Sequence, residues 1–287
     1  IFLPIIIFFS KVFFKKKNFK NIIFNLNNYS KIQAKKNNSL LLIFFLLTLL
    51  IIFEFLSAQF QLHNLDLMHE GQQLSSAFKS SKDGSLWSGS YVTQGIFYET
   101  ISAKILWYIF DSQTIGLKRI TDIFLIFSLK FLLITLSLRI TKFLKVEEFY
   151  KNIFFILNSL IFLSVIDYNI ASVDHLVARE IPIIFSLVLF SFFFENKKLH
   201  PPILLMFGFL SISTLLWGID RGLVMNLILI SFLIFLLIRK DLKSFIILLS
   251  SIFIWWLLFY FYLGSEFKHF ISNTFSVYKY VSYIHGI

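Results

Sequence analysis

Asp66, His69 and Glu70 stand together in the string Asp66-Leu67-Met68-His69-Glu70-Gly71. Asp66 and Glu70 are spaced i and i+4, and Asp66 and His69 i and i+3, so on a helix all three share one face. Two carboxylates held that close raise one another's pKa by repulsion, bind a metal, or act as a base toward a hydroxyl. The plainer alternative is a solvated helix start with an acid near its N-terminus. Cations able to meet an anionic substrate lie elsewhere: Arg179 in SVDHLVARE, Arg221 in WGIDRG, and Lys268 with His269 late in the chain. Arg suits phosphate because its planar fork makes paired hydrogen bonds. Each Arg also has acids beside it, Asp174 and Glu180 for Arg179 and Asp220 for Arg221, so an ion pair is the competing reading.

The elements that must position these residues are membrane helices. Of 287 residues, 57% are apolar and only 15% charged, and the mean hydropathy is +0.78. That composition excludes an ordinary soluble globule and a disordered chain, and the absence of Cys excludes thiol chemistry and a disulfide framework. Crossing about 30 Å of hydrocarbon takes roughly 20 apolar residues. Residues 40–57 meet this most clearly, and 119–140, 152–168, 181–194, 203–217, 222–238 and 245–262 follow, which predicts an all-α polytopic transmembrane bundle of about seven spans. The stretches 181–194 and 203–217 are short, and either borrow flanking residues or pair as a hairpin through Pro201-Pro202. The 39 Phe read as lipid-facing bulk, with codon bias as a second source.

The net charge of +11 is informative by where it sits. Residues 10–38 hold eight Lys and no acid, and smaller basic surpluses recur at 139–151, 195–200 and 239–243. These alternate with loops that carry no such surplus. The positive-inside rule then makes 1–38 a basic cytoplasmic N-terminal segment and 39–287 the transmembrane domain, with loop 58–118 outside. The surplus is a topology signal, and no polar domain exists to bind nucleic acid. Sixty residues is far more than a helix connector needs, so loop 58–118 is the place to look for function. Within it, residues 96–110 read as a helix along the outer interface, with Trp107 and Tyr108 at headgroup level. Glu54, Asp122 and Lys130 fall inside spans, where a charge costs about 2.5–3.5 kcal/mol and so faces a cavity or a partner. Glu54, one turn from the outer edge, opens toward the same cavity as Asp66. His63, His69, His175, His269 and His285 all fall outside, yet no HxxxH or HExxH pair marks a zinc site. The chain starts at Ile1 without an initiator Met and reads as a fragment, truncated at the C-terminus.

The order of features resembles one family. A first span is followed within about ten residues by an acidic motif, then a Gly turn, an amphipathic interfacial helix and an Arg that opens the second span. In this chain these are Asp66 to Gly71, Ala77, Gly84, Gly95 and Arg119. The pattern resembles the C-type polytopic membrane glycosyltransferases that use polyprenyl-phosphate sugars, such as the protein O-mannosyltransferases and lipid A aminoarabinose transferases. The family's Asp-Glu pair is split here: His69-Glu70 stands in its place and Asp66 one turn earlier. The likeness covers residues 39–140 well and the rest as a matching series of spans. It implies inverting transfer of a sugar from a polyprenyl-phosphate donor to a glycan, lipid or protein acceptor on the outer face of a membrane, the bacterial inner membrane by analogy. It implies Asp66 as base with Glu70 as helper. His69, Glu54, Arg179 and Arg221 would line the substrate site, and Mg2+ or Mn2+ at Asp66 and Glu70 is an option that some relatives use. A transporter or lipid-linked-sugar flippase is the main alternative, and an envelope polymerase or ligase a further one.

Overall fold

A computed structural model describes residues 38–57, 69–89, 92, 95–166, 178–195 and 200–285. Among them the chain is helical, in ten α-helices and one π-helical segment. In chain order these are α1 Asn38–Ser57, α2 His69–Asp83, the π-segment Phe97–Ile101, α3 Ser102–Phe110, α4 Ile115–Phe143 and α5 Glu148–Val165. There follow α6 Ile181–Glu195, α7 Pro201–Trp217, α8 Ile219–Ile238, α9 Leu242–Leu263 and α10 Glu266–His285.

The helix boundaries follow local chemistry. Asp111 adopts a left-handed conformation (φ +46°) and stops α3. Three residues later the Thr114 hydroxyl accepts from the Leu117 N–H and opens α4, so that helix begins four residues before the expected Arg119. Asp241 caps α9 in the same way, accepting from the backbone N–H and the hydroxyl of Ser244. Pro201 and Pro202 occupy the first turn of α7, where a missing N–H costs nothing.

Four helices are long and apolar enough to cross a membrane: α1 from Ser39, α4, α8 and α9. They mark the chain as a membrane protein by length and composition. The expected spans at 181–194 and 203–217 form helices of 15 and 17 residues. At 1.5 Å per residue these reach about 23–26 Å, short of the hydrocarbon thickness. The stretch expected at 152–168 forms α5, which begins among Glu148 and Lys151.

Side-chain contacts fix how the helices run. At one end of the bundle, Ser39 on α1 donates to Glu148 on α5 (2.7 Å), and Arg139 near the end of α4 donates to Ser191 near the end of α6 (3.0 Å). At the other end the start of α4 lies against α2 and α3. This second end is the capped end. Two of the apolar groups in the core hold the bundle helices: Leu47, Ile51, Ile134, Leu138 and Phe155 join α1, α4 and α5, while Leu204, Phe207, Met225, Leu229 and Phe232 join α7 and α8, with Ile183 of α6 and Leu248 of α9. Phe is not all lipid-facing: Phe190, Phe207 and Phe232 pack edge-on or tilted with centroids 4.3–5.9 Å apart, and Phe207 is fully buried. Small residues bring helices close. A Cβ on Gly208 would strike Ser251 of α9, and one on Gly222 would strike the backbone of Leu215.

Candidate functional site at the capped end

The capped end holds most of the buried charge. α2 and the π-segment with α3 are joined by a polar ladder. Gln72 donates to Glu99 (2.9 Å), Ser76 shares a hydrogen bond with Thr100 (2.6 Å), and Lys104 donates to the hydroxyl and carbonyl of Ser80 (3.0 and 3.2 Å). Residues 72, 76 and 80 repeat every four positions and so form one face of α2. The wide π-turn brings three consecutive residues, Tyr98, Glu99 and Thr100, into burial together. Such single π-turns recur at functional sites because they rotate side chains off the α register. Gly95, just before it, lies against the carbonyl of Trp217 where no Cβ would fit, and Phe97 stacks on the Trp217 ring. The indole of Trp217 in turn donates to the carbonyl of Ala178 (3.2 Å). The 95–97 stretch, α7 and the 178–180 turn are thereby locked together.

Glu70 and Arg119 form the centre of the cluster. Nε of Arg119 donates to one Glu70 oxygen and Nη2 to the other, both at 2.9 Å, and both side chains are buried. This is the paired geometry that makes guanidinium–carboxylate contacts strong and directional. One position earlier, the fully buried Lys118 donates to Asp122 one turn on. Asp122 and Arg179 also bear electrostatically on Tyr98. Burial first, and then the Asp122 carboxylate, push the Tyr98 phenol well above its ordinary range, while Gln73 and Arg179 offset part of that. Tyr98 is therefore a neutral hydroxyl at any physiological pH. Beside it the buried Gln73 leaves its carbonyl oxygen without a hydrogen-bond partner, and the Nε of Arg179 also finds no acceptor among the described residues.

The residues singled out in the sequence are distributed as follows. Glu70 lies in the first turn of α2, bound to Arg119. Asp66, His63, Asp174 and His175 lie outside the described residues, and His69 opens α2. Arg221 pairs with Asp220, as its neighbourhood suggested, and also with Glu180, an acid expected for Arg179; Arg179 instead approaches Asp220 at 3.9 Å. Glu54 accepts from Lys130 at 2.7 Å, which supplies the partner that the mid-span Lys130 requires. Lys268 and His269 are exposed near the start of α10. Tyr98, Glu99, Gln73 and Lys118 were not singled out in the sequence. The available signals were Glu99 interrupting an apolar run and the four-residue polar repeat of α2.

Among the described residues no three His, Asp or Glu side chains come together to hold a metal ion. Glu70 gives both oxygens to Arg119, so its present geometry suits anchoring a guanidinium and does not suit ligating a cation. No protein-family model, curated protein or solved structure matches the chain.

Proposed function

We propose that the chain is a membrane glycosyltransferase of the C-type, moving a sugar from a polyprenyl-phosphate donor to an acceptor on the extracytoplasmic face. The observation that carries this reading is the buried Glu70–Arg119 pair, roofed by α2 and the π-segment at the end of a membrane-length helix. Burying an ion pair is weak as a source of stability, so a buried pair at a membrane edge speaks for a positioned charge. On this reading the chain crosses the membrane about seven times, α5, α6 and α7 spanning with flanking residues. The capped end faces outward and the basic segment 1–38 lies in the cytoplasm, of a bacterial inner membrane by analogy with the family.

Asp66 lies in the chain just ahead of α2. As base it takes the proton of the acceptor hydroxyl while that oxygen attacks the anomeric carbon. The bond from that carbon to the lipid phosphate breaks, and its electron pair leaves with the phosphate. Attack from the face opposite the phosphate inverts the anomeric centre. Glu70 holds Arg119, and Arg179 and Arg221 place further positive charge where the leaving phosphate gains negative charge.

The test is transfer from a polyprenyl-phosphate sugar in membranes. Asp66→Asn is expected to lower the rate about 10²–10⁴-fold, the usual worth of a positioned base, with insertion unchanged. Glu70→Gln should also lose transfer, by releasing Arg119. Undiminished transfer in both variants removes the assignment. A transporter is the second reading, and the Lys130–Glu54 pair within the bundle is what favours it. It would be supported if Glu54→Gln abolished uptake of a lipid-linked sugar while Asp66→Asn did not.

A further inference from the structure

α9 ends at Leu263, and the chain turns at Gly264, whose left-handed φ of +54° a side chain would oppose. α10 departs two residues later. The crook between the two helices forms an open surface hollow of about 580 Å³, lined by Tyr260, Gly264, Phe267, Lys268, His269 and Ile271 among others. It shares no residue with the Glu70–Arg119 cluster. Its depth in the membrane follows from α9, which is long and apolar enough to cross. The end of α9 exposes Tyr260, Phe261 and Tyr262 in succession, the aromatic belt of a helix reaching the headgroups.

The residues that line the crook include two basic side chains and no acid. Lys268 and His269 are both exposed, and the only acid after Asp241 is Glu266. That carboxylate accepts from the N–H groups of Trp87 and Ser88 (both 3.0 Å) and from the Ser88 hydroxyl, and so is held on the 84–89 segment while it also attracts the neighbouring His269. Further along α10, Lys268, Ser272, Phe275 and Lys279 recur at three- and four-residue spacing and are all exposed, with Phe275 at 69%. Lys279 lies over the ring of Tyr280, 5.2 Å from its centroid. A basic and aromatic stripe of this kind lies in the plane of a membrane interface.

We propose that the crook between α9 and α10 is a binding site for an anionic phospholipid, with Lys268 and His269 on the headgroup phosphate and the acyl chains against Tyr260 and Phe267. The site serves to seat α10 on the membrane surface. It stands whether or not the chain transfers sugars.

The purified, delipidated protein is reconstituted in equimolar phosphatidylglycerol and phosphatidylcholine, extracted in mild detergent, and its retained lipids counted by native mass spectrometry. Wild-type protein is expected to retain phosphatidylglycerol about five-fold over phosphatidylcholine, the order of advantage that one or two interfacial cations give. Lys268→Gln with His269→Gln should bring the ratio near one, and Lys268→Arg should keep it. Lys142→Gln with Lys145→Gln, at the opposite end of the bundle, should also keep it. Both crook side chains are exposed, so an unchanged thermal midpoint is expected to accompany the loss. An equal ratio in the wild type, or an unchanged ratio in the double crook variant, overturns the proposal. So does displacement of phosphatidylglycerol by equimolar polyprenyl phosphate, which would make the crook a donor-lipid site.

Discussion

Around α4 the helices are joined by charge, and around α7 by shape. α4 carries Lys118, Arg119, Asp122, Lys130 and Arg139 into the bundle, each with a partner: Glu70 for Arg119, Glu54 for Lys130, Asp122 and Lys118 for each other, and Ser191 and the Phe192 ring for Arg139. α7 carries no charge along its length. It meets α9 where Gly208 admits Ser251, and α8 where Gly222 admits Leu215. Its polar contacts are neutral: Ser211 donates to Asn226 (2.6 Å) and accepts from the Trp256 indole (2.9 Å). The difference is instructive because neutral, close-packed contacts suffice to hold membrane helices together. Cohesion therefore does not explain the charges on α4. Three of the five, Lys118, Arg119 and Asp122, lie in the first turns of α4 at the capped end, where Arg119 meets Glu70 of α2.

The comparison is broken most directly at Arg119. Arg119→Met takes the guanidinium from the buried Glu70 carboxylate, and should lower stability by about 3–5 kcal/mol. Glu70→Gln combined with Arg119→Met should recover most of that loss in thermal unfolding in detergent. A double variant as unstable as the single would mean the pair is not the coupled unit described here. Next in size is Lys130→Met, which strands Glu54 at a cost of about 2.5 kcal/mol, again relieved by Glu54→Gln. The smaller figure is the cost of a single charge left without a partner in a membrane helix.

In the second half the expected response is steric. Gly222→Val forces a side chain into the backbone of Leu215, and overpacking of this kind costs about 1–3 kcal/mol. Leu215→Ala should not rescue it, because the obstacle is main chain. Rescue by Leu215→Ala would show that a movable side chain sets the spacing.

The smallest effect concerns the contact between the halves. α10 clasps the segment between α2 and the π-turn through Glu266 and through Asn273, whose amide both accepts from and donates to the backbone of Val92 (3.1 and 2.7 Å). Burial alone would raise the Glu266 carboxyl, but the hydrogen bonds from Ser88 and Trp87 outweigh it and hold the group below its ordinary 4.5. A carboxylate with a lowered folded-state pKa stabilises at pH above 4.5 and loses that contribution as pH falls through the lowered value. Exchange of the Trp87 and Ser88 amides should therefore accelerate more below pH 4.5 than the trend of other loop amides. Glu266→Gln should give fast exchange at every pH, and protection as strong as wild type in that variant would remove the clasp.

The amino-acid sequence by itself determined where the membrane helices lie and which residues are costly to bury. Long apolar runs announce α1, α8 and α9, because length and hydropathy are local properties. Glu54 and Lys130 stood out for the same reason: a charge inside such a run needs a partner wherever it is. Their pairing across 76 positions, and that of Glu70 with Arg119 across 49, was decided only by the tertiary structure, since helix order and rotation choose which faces meet. The expectation of Asp66 and Glu70 on one helix face turns on residues outside those described, for α2 begins at His69. The helix α10 was also hidden, because its polar and aromatic residues alternate too finely to give an apolar run. It acquires a role only where Glu266 and Asn273 reach back some 180 residues to the loop. Spacing along the chain tells which groups share a helix face, and only packing tells what that face finds opposite it.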